Sequence, residues 1–167
     1  YIVLKAISLG NEAFTVDYEQ ISLLILNNLV FTFMEKPAEL FDPILNRLDN
    51  DKSQIRNLGA DYLAYIIMDT VVDEYFALQD AFDELIESVE DKLLSDPSTQ
   101  TLSIIQKIKR ELIFLRRTVS PLRELLAAIQ RSESPLLNEK TRRYFGDIYD
   151  HAIRIIEAIE SYRDLIA

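Results

Sequence analysis

The chain has 167 residues, of which 49% are hydrophobic and 28% charged, enough for one domain with a core or a small domain carrying a helical extension. Its 18 Lys and Arg against 28 Asp and Glu give a formal net charge of -10, which disfavours nucleic acid and anionic lipid as partners and leaves cations as the natural ligands. There is no Cys, so disulfides and thiolate metal sites are excluded.

In chain order, "YIVLKAIS" at residues 1–8 reads as a strand. Gln20 to Leu26 and Leu29 to Glu35 read as a hairpin around Asn27-Asn28, since Asn tolerates the positive φ of a tight turn. Pro37 opens a short helix with Leu40, Phe41, Ile44, Leu45 and Leu48 at helical spacing, closed by the polar "DNDKS". Ser53, an N-cap residue type, starts a helix expected to run unbroken to Ser95, roughly 60 Å at about 1.5 Å per residue. "DPST" ends it, and a second long helix is expected from about Leu102 to Arg131, with Pro121 as a kink or boundary. A last helix begins near Asn138 and runs to the end. The opening without Met and the close without Gly, Asn or Pro read as cut ends. No run reaches the roughly 18 apolar residues of a membrane-spanning helix. The fold class is therefore α+β, divided into residues 1–50 (small sheet and short helix), 51–134 (long helical hairpin) and 135–167 (final helix).

Charge is segregated between the long helices. Asp69 to Asp96 holds ten acidic residues and one basic one, Lys92, whereas Thr101 to Arg131 holds seven basic and two acidic ones. Solvated pairs of this kind contribute about 0–1 kcal/mol each. Asp69 is different, because Ile66, Ile67, Met68, Val71 and Val72 surround it and a carboxylate there needs a partner. Asp73 follows one turn later. In the last helix Ile148, Ala152, Ile155, Ile159, Tyr162 and Ile166 form the apolar stripe, placing Asp147 and His151 on an adjoining polar strip. Carboxylates and an imidazole at one-turn spacing can share an ion. The competing reading of His151, the sole His, is an interhelical hydrogen-bonding residue. No Gly-rich phosphate loop or nucleophile–base pair points to an enzyme.

The stretches "RNLGADYLAYIIMDTVVDEYF", "KIKRELIFLRRTVSPLRELL" and "RRYFGDIYDHAIRIIEAIESYRDLI", in this order, resemble the cytosolic domain of the CorA family of magnesium transporters, from the first strand to Ala167. The resemblance implies the back part of an α/β/α domain, two long helices, and the upper part of a stalk helix that leads into a membrane region beyond Ala167. It further implies a homopentameric channel of the cell (inner) membrane, with these residues on the cytoplasmic side, carrying Mg2+ and also Co2+. In this family the Asp of a Tyr-Phe-x-Asp-x-Tyr-Asp-His motif holds a regulatory divalent cation between subunits, which here is Asp147; Asp69 corresponds to a second nearby site, with Asp73 as a further candidate. Gly146 stands where the family commonly has Arg. The acidic partners expected from the N-terminal domain lie upstream of Tyr1. Two alternatives remain: a soluble acidic helical interaction module without a regulatory metal, and the cytosolic domain of a related zinc transporter.

Overall fold

The computed structural model describes residues 1–10, 15–35, 39–50 and 53–166. The helix start expected at Pro37, part of the "DNDKS" stretch and Ala167 lie outside the described residues.

Alternating apolar residues build a three-stranded antiparallel sheet, β1 (Ile2–Leu9), β2 (Val16–Ile25) and β3 (Val30–Phe33), in the order β1-β2-β3. Ile2 lies opposite Leu23 and Leu4 opposite Ile21, so these four share one face, and all are buried. The other face carries Tyr1, Val3, Phe31 and Phe33, which are exposed. The turn at Asn27-Asn28 is closed by the Leu26 N–H donating to the Leu29 carbonyl at 2.8 Å. β2 begins at Val16, earlier than the expected Gln20, because pairing with β1 extends it beyond its apolar core.

A 3-10 turn at Glu39–Phe41 leads into α1 (Asp42–Asp49), with Pro in its first turn, where its missing N–H costs nothing. The single helix expected from Ser53 is instead two: a short α2 (Ile55–Leu58) and α3 (Ala60–Ser95, 36 residues). Gly59 separates them with φ of +94°, a conformation that L side chains rarely adopt. α3 is about 54 Å long at 1.5 Å per residue. α4 (Thr99–Arg131) is capped by Ser98, whose hydroxyl accepts from the Thr101 N–H at 3.2 Å. It runs through Pro121 without a boundary, Pro121 lying on the exposed side. α5 (Glu139–Leu165) is capped by Asn138, whose Oδ1 accepts from the Lys140 N–H at 2.8 Å.

α5 is the element that joins the helices. Phe145, Ile148, Ala152 and Ile155 are buried along it, and Leu112, Val119 and Leu126 are buried along α4. Its Tyr162 ring stacks on Phe82 of α3 at 6.3 Å between centroids, and the Tyr162 hydroxyl donates to the Gln79 carbonyl at 3.3 Å. On its other side Glu160 pairs with Arg116 of α4 at 2.9 Å. The acidic and basic helices are thus held largely through α5 rather than zipped directly to each other. The Tyr75 hydroxyl, donating to the Lys5 carbonyl, ties α3 to β1.

Candidate metal centre

α3 carries four carboxylates on its first half, Asp61, Asp69, Asp73 and Glu74, and the structure treats the first three differently. Asp61, in the first turn, is buried, and its Oδ2 accepts the Asn138 N–H at 2.9 Å, tying the start of α5 to the start of α3. One orphan donor of α5 is thereby satisfied. Nothing in the local sequence announces this pair, which spans 77 positions.

Asp69 is half-buried two turns later, between Met68 and the Val71-Val72 pair, which are fully buried. Among the described residues its Oδ2 receives one long hydrogen bond, 3.4 Å from the Tyr65 hydroxyl. Burial raises its pKa above the usual 3.8, and the charges of Asp73 and Asp147 add to the rise, while Tyr65 and His151 oppose it. Burial and the Asp69 carboxylate in turn push the Tyr65 phenol up. Tyr65 itself is held in an aromatic cluster, stacked on Tyr144 at 5.1 Å and edge-on to Phe145 at 5.9 Å.

One turn along α3, the exposed Asp73 joins Asp69, and across the helix interface α5 presents His151. One ligand atom from each of Asp69, Asp73 and His151 lies within 4.8 Å of the others. The His151 ring stands edge-on to Phe76 at 5.2 Å, with the Arg154 guanidinium over the same Phe76 at 5.8 Å. His151 Nδ1 is buried without a hydrogen-bond partner among the described residues, so the expected interhelical hydrogen bond is not made by this nitrogen. Two carboxylate oxygens and an imidazole nitrogen form a donor set suited to a divalent cation: oxygen for Mg2+, imidazole for Co2+ or Zn2+.

Asp147 is exposed on α5 one turn before His151. It lies outside the three-residue cluster, though its charge reaches Asp69 and Tyr65. Gly146 leaves space, since a Cβ there would meet only Gln130 Nε2 at 3.5 Å. The sequence reading singled out Asp69, Asp73 and Asp147; the structure brings the first two together with His151 and leaves Asp147 beside them.

Comparison with known proteins gives a consistent picture. The family described as CorA-like Mg2+ transporter protein matches residues 1–167. The cobalt/magnesium transport protein CorA of Thermotoga maritima is 37% identical over 167 residues, covering 100% of this chain and 48% of that protein. The solved soluble domain of CorA from Methanocaldococcus jannaschii superposes with a TM-score of 0.85 at 20% identity, over 99% of this chain and 65% of that one. The complete structure of the CorA magnesium transporter from the same organism gives 0.82 at 21% identity, over 99% and 51%. The chain therefore spans about half the length of the curated relatives it matches. Among the described residues, no helix is long and apolar enough to cross a membrane.

Proposed function

Because the chain belongs to the family of CorA-like Mg2+ transporter proteins, matched over its whole length, we propose that it is the cytosolic, cation-sensing portion of a membrane transporter for Mg2+ that also carries Co2+. It is a transport component and not an enzyme. The parent protein assembles as a homopentamer in the cell membrane, with these residues on the cytoplasmic side. The three regions 1–50, 51–134 and 135–167 correspond to partial sheet domain, long helices and upper stalk.

The observation that carries the reading is the convergence of Asp69, Asp73 and His151 across the α3–α5 interface, with Asp147 beside them. Asp69 is held partly out of water with one weak hydrogen bond, so its charged form is under-satisfied and a cation there would be favoured. Asp69 and Asp73 bind through oxygen, directly or by way of the waters that Mg2+ retains. His151 adds a nitrogen that Co2+ accepts more readily than Mg2+ does. Asp147, exposed, faces a neighbouring subunit and is shared with it.

Without the cation these carboxylates repel one another. Two unit charges 6 Å apart interact at roughly 3 kcal/mol with an effective dielectric near 20. Summed over several subunit interfaces, that is enough to shift a two-state assembly, and α5 is the rigid element that passes the shift toward the membrane. In the full-length parent protein, Asp147→Ala should weaken Mg2+-dependent protection against limited proteolysis; unchanged protection would remove the assignment.

The imidazole in the donor set favours one other reading, the cytosolic domain of a zinc-moving relative, since His suits Zn2+ at least as well as Co2+. Tighter binding of Mg2+ than of Zn2+ by residues Asp69 and Asp73, with His151→Ala having little effect, would argue against it.

A further inference from the structure

The distal half of α3 presents a pure acidic stripe. Asp80, Glu84, Glu87 and Asp91 follow the 4-3-4 spacing of one helical face, and all four are exposed. α4 presents the opposite: Lys107, Arg110, Phe114 and Arg117 follow a 3-4-3 spacing, and all four are exposed as well. Each stripe is about 15 Å long at 1.5 Å per residue. Phe114 is 52% exposed, an aromatic ring left in water between three cations.

Among the described residues, neither stripe forms an ion pair within the chain. Among the described residues, Arg116, Arg123 and Arg143 form ion pairs, and none of these belongs to the basic stripe. Arg110 donates to the carbonyl of Gln106 on its own helix, and its charge reaches the neighbouring Glu111. α3 turns toward α5 with a different face, that of Phe82, Ile86 and Val89, which are buried. The acidic stripe therefore lies exposed on one helix, with the charge of Asp80 reaching Tyr162 of α5, and the basic stripe lies exposed on another.

We propose that the acidic stripe of α3 docks against the basic stripe of α4 on a second copy of this chain, with Phe114 covered at the centre of the contact. The match of length, spacing and sign supports this occupant. A contact between two different surfaces is heterologous, and such contacts repeat around a ring until the rotation closes. The contact lies away from the Asp69–Asp73–His151 cluster and uses none of its side chains, so it would supply cation-independent association between subunits.

Salt dependence separates this from general electrostatics. Copies that each carry a net charge of -10 repel, and screening that repulsion would make association rise with salt. Stripe-to-stripe attraction gives the reverse slope.

The test is sedimentation velocity of the 167-residue chain with a chelator present. Association should weaken as NaCl rises from about 0.1 M to about 1 M, where the screening length falls from about 10 Å to about 3 Å. The variant Lys107→Glu, Arg110→Glu, Arg117→Glu and the variant Glu84→Lys, Glu87→Lys, Asp91→Lys should each be monomeric alone and should associate when mixed. Circular dichroism checks that both fold. A chain that is monomeric at every salt concentration, association that is constant or rises with salt, or variants that associate alone as the parent does would each overturn the inference. Binding to phosphatidylserine vesicles that the basic-stripe variant loses, with self-association unchanged, would assign the stripe to a membrane and also overturn it. A chain that takes up cations at the Asp69 cluster yet never self-associates would sink this inference and leave the proposed function standing; the converse result would do the opposite.

Discussion

Asp61 and Asp69 stand about two turns apart on the same helix, in surroundings that exclude much of the solvent, and they have opposite local fates. Asp61 is buried and receives the Asn138 N–H at 2.9 Å, so its oxygen finishes a helix N-terminus. Asp69 receives only a 3.4 Å contact from Tyr65, faces the like charge of Asp73, and has its pKa raised. One carboxylate serves the fold; the other is kept at a cost the fold does not offset. The difference teaches that burial of an acid is not by itself a mark of function. What marks Asp69 is burial without adequate donors, together with a second carboxylate and an imidazole within reach.

Substitutions sharpen the contrast, and the largest effect belongs to the structural acid. Asp61→Ala leaves the Asn138 N–H without its partner and should destabilise the chain by about 2–3 kcal/mol, equally with and without Mg2+. Urea denaturation in the presence and absence of the cation reads both. Asp69→Asn should abolish the stabilisation that saturating cation confers on the parent chain, a term of about 2.7 kcal/mol at a hundredfold excess over Kd. In chelator the same variant should be no less stable than the parent, since Asn keeps an acceptor for Tyr65 and removes an uncompensated charge. If Asp69→Asn behaved like Asp61→Ala, the comparison would collapse and Asp69 would be a structural residue.

Gly59→Ala probes the join between the two regions. Its φ of +94° strains any side chain, and the added Cβ would lie 3.1 Å from Asp61 Oδ1, so a loss of about 1–2 kcal/mol is expected in thermal unfolding. Acidity gives a smaller effect with a definite sign. Asp69 has a folded-state pKa above its unfolded value, so the stability it contributes is fully present below the ordinary 3.8 and is lost as pH rises through the raised value. Cation binding runs the other way, because the ligand must be deprotonated. Lowering the pH through this window should weaken the cation-induced rise in Tm, and Asp69→Asn should flatten that pH dependence. Least affected is Asp73→Asn: an exposed carboxylate leaves stability within about 0.5 kcal/mol, and its effect is confined to cation affinity.

Much of this arrangement was legible in the residues. Alternation at "YIVLKAIS" gave β1, Asn27-Asn28 gave the β2–β3 turn, and the apolar stripe of α5 proved to be its buried face. Helix boundaries differ from the expected ones at two positions where one residue's backbone decides. The single helix expected from Ser53 to Ser95 was carried through Gly59, its one interior breaker, yet the positive φ there splits α2 from α3. At Pro121, expected as a kink or boundary, there is no boundary: α4 continues through it on an exposed side, where water can serve the carbonyl left without its donor. Long-range pairings were out of reach of local pattern. Asp61 with Asn138 spans 77 positions, and the central place of α5 between α3 and α4 was hidden by charge complementarity that pointed to a direct hairpin. Asp69 and Asp73 stood out because acids interrupt an apolar run; His151 joined them only once helix packing was known.

The most direct measurement follows from His151 being the only histidine in the chain. NMR of its imidazole, recorded while Co2+ is titrated into the 167-residue chain and repeated with Asp69→Asn, reads the cluster without interference from any other ring. A cation held at the cluster should give saturable paramagnetic perturbation of the His151 signals by Co2+, relieved by competing Mg2+ and lost in Asp69→Asn. Imidazole signals indifferent to Co2+, or perturbed equally in Asp69→Asn, would contradict a cation site at Asp69, Asp73 and His151.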